Sequence, residues 1–157
     1  METKMKTSER ELTITRTFNA PIDLVWAAWT DVEHIKNWWG PKGFTNPVCN
    51  WNAKAGNKIY IEMKAPDGVL YPMDGEFGEI KLHEKIVFSA GALDKSGKRL
   101  FDIQNTIHFM EEGDKTKLTL HFEMSNITAE GAPYLKGQEM GWNMSLDKLA
   151  TLLNSLK

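Results

Sequence analysis

The chain has 157 residues, 41% hydrophobic and 25% charged, with a formal net charge of −2. That length suits one domain with one core, and the near-neutral balance argues against a polybasic surface for nucleic acid or an anionic membrane. No apolar run approaches the length needed to span a bilayer. Residues 1–10 are polar and lack the apolar stretch of a secretory leader, so a frayed lead-in to a single domain over 1–157 is expected. Leu12 to Phe18 alternates apolar and polar side chains, the pattern of a half-buried strand. Asn19-Ala20-Pro21 stops it, and Pro21 with Asp23 favours the start of a helix. Leu24, Val25, Ala28 and Trp29 then recur at helical spacing. Thr30-Asp31-Val32-Glu33 has the capping-box pattern, with Thr30 as the expected cap of a second short helix ending near Trp38-Trp39-Gly40-Pro41.

From Thr45 to Met124 the texture is that of strands. Ile59, Ile61 and Met63 alternate with polar neighbours, and Pro66-Asp67-Gly68 is a turn. Met73 to Leu82 reads as a long strand in which Gly75 and Gly78 predict a bulge or sharp bend. Turns follow at Glu84-Lys85, Lys95-Ser96-Gly97 and Glu112-Gly113-Asp114. Phe101, Ile103, Ile107 and Phe109 share one parity, as do Leu118, Leu120, Phe122 and Met124. Connections this short predict an antiparallel meander. Leu135, Trp142, Leu146, Leu149, Leu153 and Leu156 then form one helical stripe, with a start weakened by Gly131, Pro133, Gly137 and Gly141. The expected class is α+β, in the order β-αα-β(several)-α: a curved antiparallel β-sheet wrapped around a long C-terminal α-helix. A sheet bent away from a straight helix leaves room for a cavity.

Four stretches early and midway along the chain carry a family resemblance: Ala20-Pro21-Ile22-Asp23-Leu24-Val25-Trp26, Trp38-Trp39-Gly40-Pro41, Gly75-Glu76-Phe77-Gly78-Glu79-Ile80 and Lys85-Ile86-Val87-Phe88. A fifth is Gly141-Trp142-Asn143-Met144-Ser145-Leu146-Asp147-Lys148-Leu149. Together, from about Leu12 to Leu156, the chain resembles the START and birch-pollen-allergen-like (SRPBCC) superfamily. Within it, the chain is similar to single-domain proteins like the activator of heat-shock protein 90 ATPase. The resemblance implies a helix-grip fold with a cavity. Such proteins often carry paired glycines before the strand that begins here at Lys58; this chain has Gly56-Asn57.

Six Trp and eight Met supply large side chains for a core or a cavity lining. Of Trp26, Trp29, Trp38, Trp39 and Trp142, the adjacent pair Trp38 and Trp39 cannot both face one way, so one is expected at a rim. The expected cavity set is Trp38, Trp39, Met63, Met73, Phe77, Phe88, Asn105, Ile107, Glu139, Trp142 and Leu146. Asn105 shares the inward parity of Ile103 and Ile107; an inward amide orients a ligand or satisfies a bulged backbone. Glu139, beside the helical stripe, is the one weak candidate for a general base. No metal site or cofactor is expected: His34, His83, His108 and His121 are scattered, and none pairs at ligand spacing. The lone Cys49 closes no intramolecular disulfide, which predicts a cytoplasmic setting, and no neighbour marks it as a nucleophile. The expected partner is a small hydrophobic molecule, held by a carrier or sensor. An enzyme of the cyclase, dehydratase or hydrolase kind using the same cavity is one alternative. A chaperone-associated partner or homodimer, touching through Met140 and Met144, is the other.

Overall fold

The computed structural model describes residues 10–156. Its elements run β1 (Arg10–Phe18), α1 (Ile22–Thr30), α2 (Val32–Trp38), β2 (Thr45–Asn50), β3 (Lys58–Lys64), β4 (Leu70–Lys81), β5 (Lys85–Ala92), β6 (Asp102–Glu112) and β7 (Lys115–Ser125). A 3-10 helix (Ala132–Gly137) and α3 (Gln138–Leu156) complete the chain. The expected lead-in falls on residues 1–9, outside the described ones, but Arg10 already belongs to β1.

The seven strands form one curved antiparallel sheet in the order β1-β7-β6-β5-β4-β3-β2. Strands β2 to β7 are a meander, and β1 returns to pair with β7 along its whole length. Period-two patterning sets the faces. On β7, Leu118, Leu120, Phe122 and Met124 are buried while their neighbours reach toward solvent. On β6, Ile103, Asn105, Ile107 and Phe109 point the same way. The bend read at Gly75 and Gly78 is there: the register of β4 on β5 slips between Phe77 and Ile80. Gly75 is required for a separate reason, since a Cβ on it would stand 1.8 Å from the Ser89 carbonyl oxygen.

Helix α3 buries Trp142, Ser145, Leu146, Leu149 and Leu153, and all but Ser145 join the sheet residues in one hydrophobic core. The helix-grip fold is thus present. Helices α1 and α2 contribute Val25, Trp26, Ala28, Trp29, Ile35 and Trp38 to the same core. The cap of α2 differs from expectation by one residue. Asp31, with extended backbone, accepts the Glu33 backbone N–H at 2.9 Å. Thr30 instead donates its hydroxyl to the Trp26 carbonyl at 2.9 Å, inside the last turn of α1. No helix among the described residues is long and apolar enough to cross a membrane.

Candidate functional site: a cleft beneath the C-terminal helix

One half of the interior is packed solid by aromatics. Trp38 donates its indole N–H to the Ala28 carbonyl at 2.9 Å, and Trp51 to the Trp29 carbonyl at 2.8 Å. Trp51 packs edge-on to Phe77 and Phe88, with ring centroids at 4.9 and 5.1 Å. Trp29 stacks on Trp142 at 6.2 Å.

The other half holds a cleft of about 320 Å³. One wall is the loop after α2, with Trp39, Gly40, Pro41 and Phe44. The sheet supplies Met63, Tyr71, Met73, Ala90, Ile103 and Asn105. Gln138, Gly141, Trp142 and Ser145 of α3 cover it, and Phe101, Pro133 and Tyr134 border it on the remaining side. Among the described residues, none that lines the cleft carries a charge.

The loop wall is tied to α3. Gly40 turns the chain at φ +93°, and its carbonyl accepts the Ser145 hydroxyl at 2.9 Å and the Lys148 ammonium at 3.2 Å. Lys148 also reaches the Pro41 carbonyl at 3.3 Å. A cation over carbonyls at the end of α2 suits the helix dipole. Burial holds the Lys148 ammonium below the usual lysine range.

Asn105 is the polar feature of the sheet wall. It is 1% exposed. Its Nδ2 donates to the Phe88 carbonyl at 3.4 Å, and its Oδ1 has no partner among the described residues. Exchanging the two amide atoms would set oxygen against oxygen, so the Phe88 carbonyl fixes which atom is left free.

Of the expected cavity residues, Trp39, Met63, Met73, Asn105 and Trp142 line the cleft. Trp38, Phe77, Phe88, Ile107 and Leu146 do not; each is at most 1% exposed in the core. Trp51 packs edge-on against both Phe77 and Phe88, and all five belong to the closed hydrophobic core. All five point to the interior, but interior and cleft wall are different things. Of the adjacent tryptophans, Trp38 turns to the core and Trp39 to the cleft. Glu139 is exposed and outside the cleft, because the first turn of α3 presents Gln138, Gly141 and Trp142 inward; a solvated carboxylate there is no shielded base. Met140 is 66% exposed, whereas Met144 is half-buried, so the two do not form an exposed pair. Phe44, Tyr71, Phe101 and Tyr134 were not foreseen as lining. Two carried a usable signal: Tyr71 shares the parity of Met73, and Phe101 that of Ile103.

Outside the cleft, Cys49 is half-buried, and burial pushes its thiol up to about 11 against a smaller opposing pull from Lys36. A thiol so rarely ionised is a poor nucleophile. The register of β1 on β7 sets Glu11 opposite Glu123, and the His121 Nε2 lies 3.5 Å from a carboxylate oxygen of each. Sequence spacing hides this surface cluster because its members sit on two strands far apart in the chain.

A family model described as activator of Hsp90 ATPase homolog 1-like protein matches residues 19–154. No curated protein matches the chain. Among solved structures, an AHSA1 protein from Silicibacter pomeroyi is 21% identical, with 94% of this chain and 99% of that chain covered and a TM-score of 0.81. A protein from Arthrobacter aurescens is also 21% identical, covering 97% of this chain and 90% of its own, at TM-score 0.81. One from Staphylococcus epidermidis is 24% identical, covering 99% and 94%, at TM-score 0.75. At such identities the likeness is one of fold.

Proposed function

The chain belongs to the activator of Hsp90 ATPase homolog 1-like family, and on that footing we propose that it binds a small apolar or amphipathic molecule in the cleft beneath α3, as a carrier or sensor. The observation that carries this reading is the uncharged cleft of about 320 Å³ left open in an interior otherwise filled by aromatic side chains. A guest burying about 200 Å² of apolar surface there gains roughly 5 kcal/mol before the costs of association. The enzymatic alternative has less support. Among the described residues the lining holds no His, Cys, carboxylate or amine, and the Ser145 hydroxyl is spent on the Gly40 carbonyl, so among them no nucleophile and base meet in the cleft. The chaperone alternative rests on surface residues, and only Met140 of the pair considered is well exposed.

Gly141 provides the test. A Cβ there would meet only the Pro41 Cγ, at 3.9 Å, so the larger side chain of Gly141→Leu enters the cleft without a backbone clash. It also favours the helix by roughly 1 kcal/mol. Naphthalene titrated into the wild-type protein is expected to shift the indole N–H resonances of Trp39 and Trp142. In Gly141→Leu the shifts should vanish while Tm holds or rises. Equal binding by both proteins, or by neither, would sink the proposal.

A further inference from the structure

We infer that the guest is an uncharged molecule bearing a hydroxyl or N–H donor, which it gives to the Asn105 Oδ1, and that carboxylates are rejected. The inference rests on the cleft reading above and adds the polarity and charge of the guest.

Two independent observations lead to it. The first is the orphaned acceptor. Asn105 sits in the cleft wall at 1% exposure, with Nδ2 turned to the Phe88 carbonyl and Oδ1 unpartnered. A buried amide oxygen left unpaired costs roughly 1–3 kcal/mol. Satisfying it is therefore worth more than the same hydrogen bond made in water, and the partner must donate. The Ser145 hydroxyl, also in the lining, already gives its hydrogen to the Gly40 carbonyl, and the Gln138 Nε2 gives one of its two to the Tyr134 carbonyl.

The second observation is charge. Among the described residues, no Asp, Glu, Lys, Arg or His lines the cleft. Two cations behind its walls are committed. Arg99, pressed against Gly91, pairs with Asp74 and Asp102, and Lys148 sits on the carbonyls of Gly40 and Pro41. A carboxylate entering the cleft would lose its hydration without gaining a counter-charge, and would face the Asn105 oxygen as one acceptor against another. An alcohol, a phenol or an amide N–H meets neither penalty. A plain hydrocarbon also meets neither penalty but leaves Oδ1 unpaired.

Three probes with one ring system separate these cases: naphthalene, 2-naphthol and 2-naphthoate, titrated by NMR at neutral pH into wild type and Asn105→Leu. In the wild-type protein 2-naphthol is expected to bind roughly tenfold tighter than naphthalene, and 2-naphthoate at least tenfold more weakly than 2-naphthol. Asn105→Leu, close in volume and without the acceptor, should keep naphthalene and lose the preference for 2-naphthol. Equal affinities for naphthalene and 2-naphthol in the wild type overturn the inference and leave the cleft reading standing. Tightest binding by 2-naphthoate does the same. Binding by none of the three removes the cleft reading and this inference with it. The wild-type series decides the matter on its own should Asn105→Leu fail to fold.

Discussion

At Gly75 one hydrogen in place of a methyl group lets β4 lie beside β5. A Cβ there would overlap the Ser89 carbonyl oxygen at 1.8 Å, and that oxygen belongs to the neighbouring backbone, which cannot swing aside as a flexible side chain does. Gly75→Ala is accordingly expected to lower unfolding free energy by about 3 kcal/mol, as overpacking of a rigid site does, measured by urea denaturation. Gly78, three residues on, is a control within the same strand: its nearest neighbour would be a Val87 methyl at 3.4 Å, so Gly78→Ala should cost far less. Both glycines announced a bend in the sequence, but which one the neighbouring strand crowds depends on cross-strand register and is invisible in a linear pattern. Asn105 is similar. Parity revealed that it points inward; that its amide nitrogen has a partner and its oxygen none follows only from the placement of Phe88, seventeen positions away.

At the level of elements, the junction between α1 and α2 shows how local signals mislead by one step. Thr30 and Glu33 fit the capping-box template, yet Thr30 spends its hydroxyl on the turn behind it, and Asp31 takes over the cap. Asp31→Ala is expected to cost about 1 kcal/mol, and Thr30→Ala clearly less, by thermal or urea melts of the two variants. The reverse ranking would restore the capping box. Elements with long, regular periodicity were legible: β6, β7 and the Trp142–Leu153 stripe of α3 lie where alternation and helical spacing put them. The filling of the interior was not. Trp51, in the loop before β3, packs against Phe77 and Phe88 and keeps them in the core, and no periodic pattern surrounds it to indicate its direction.

For the molecule as a whole, two half-buried groups tilt the alkaline stability profile in opposite directions. The Cys49 thiol, raised from 9.0 to about 11 by burial, keeps its proton in the folded state after the unfolded chain has lost it. Its contribution is fully present below pH 9 and is lost as pH rises through about 11. Lys148 has the opposite sign. Its folded value lies below 10.5, so the unfolded chain binds more protons as pH approaches that value, and stability rises with pH across the interval. Urea melts at a series of pH values test both. Cys49→Ala should flatten the fall between pH 9 and 11, and Lys148→Met should remove the opposing rise. The family and the helix-grip architecture were legible from order and motif, because a meander with a terminal helix permits few arrangements. The position of the cleft was not, because it depends on which half of one inner face the aromatics happen to fill.

The glycines at the head of α3 bear on time as well as on affinity. Gly137 and Gly141 border the cleft, and each weakens a helix by roughly 1 kcal/mol relative to alanine. The chain around them is therefore easier to unwind than the rest of α3. On the carrier reading proposed above, loosening of that turn widens the cleft, and Gly137→Ala is expected to slow the exchange of a bound guest.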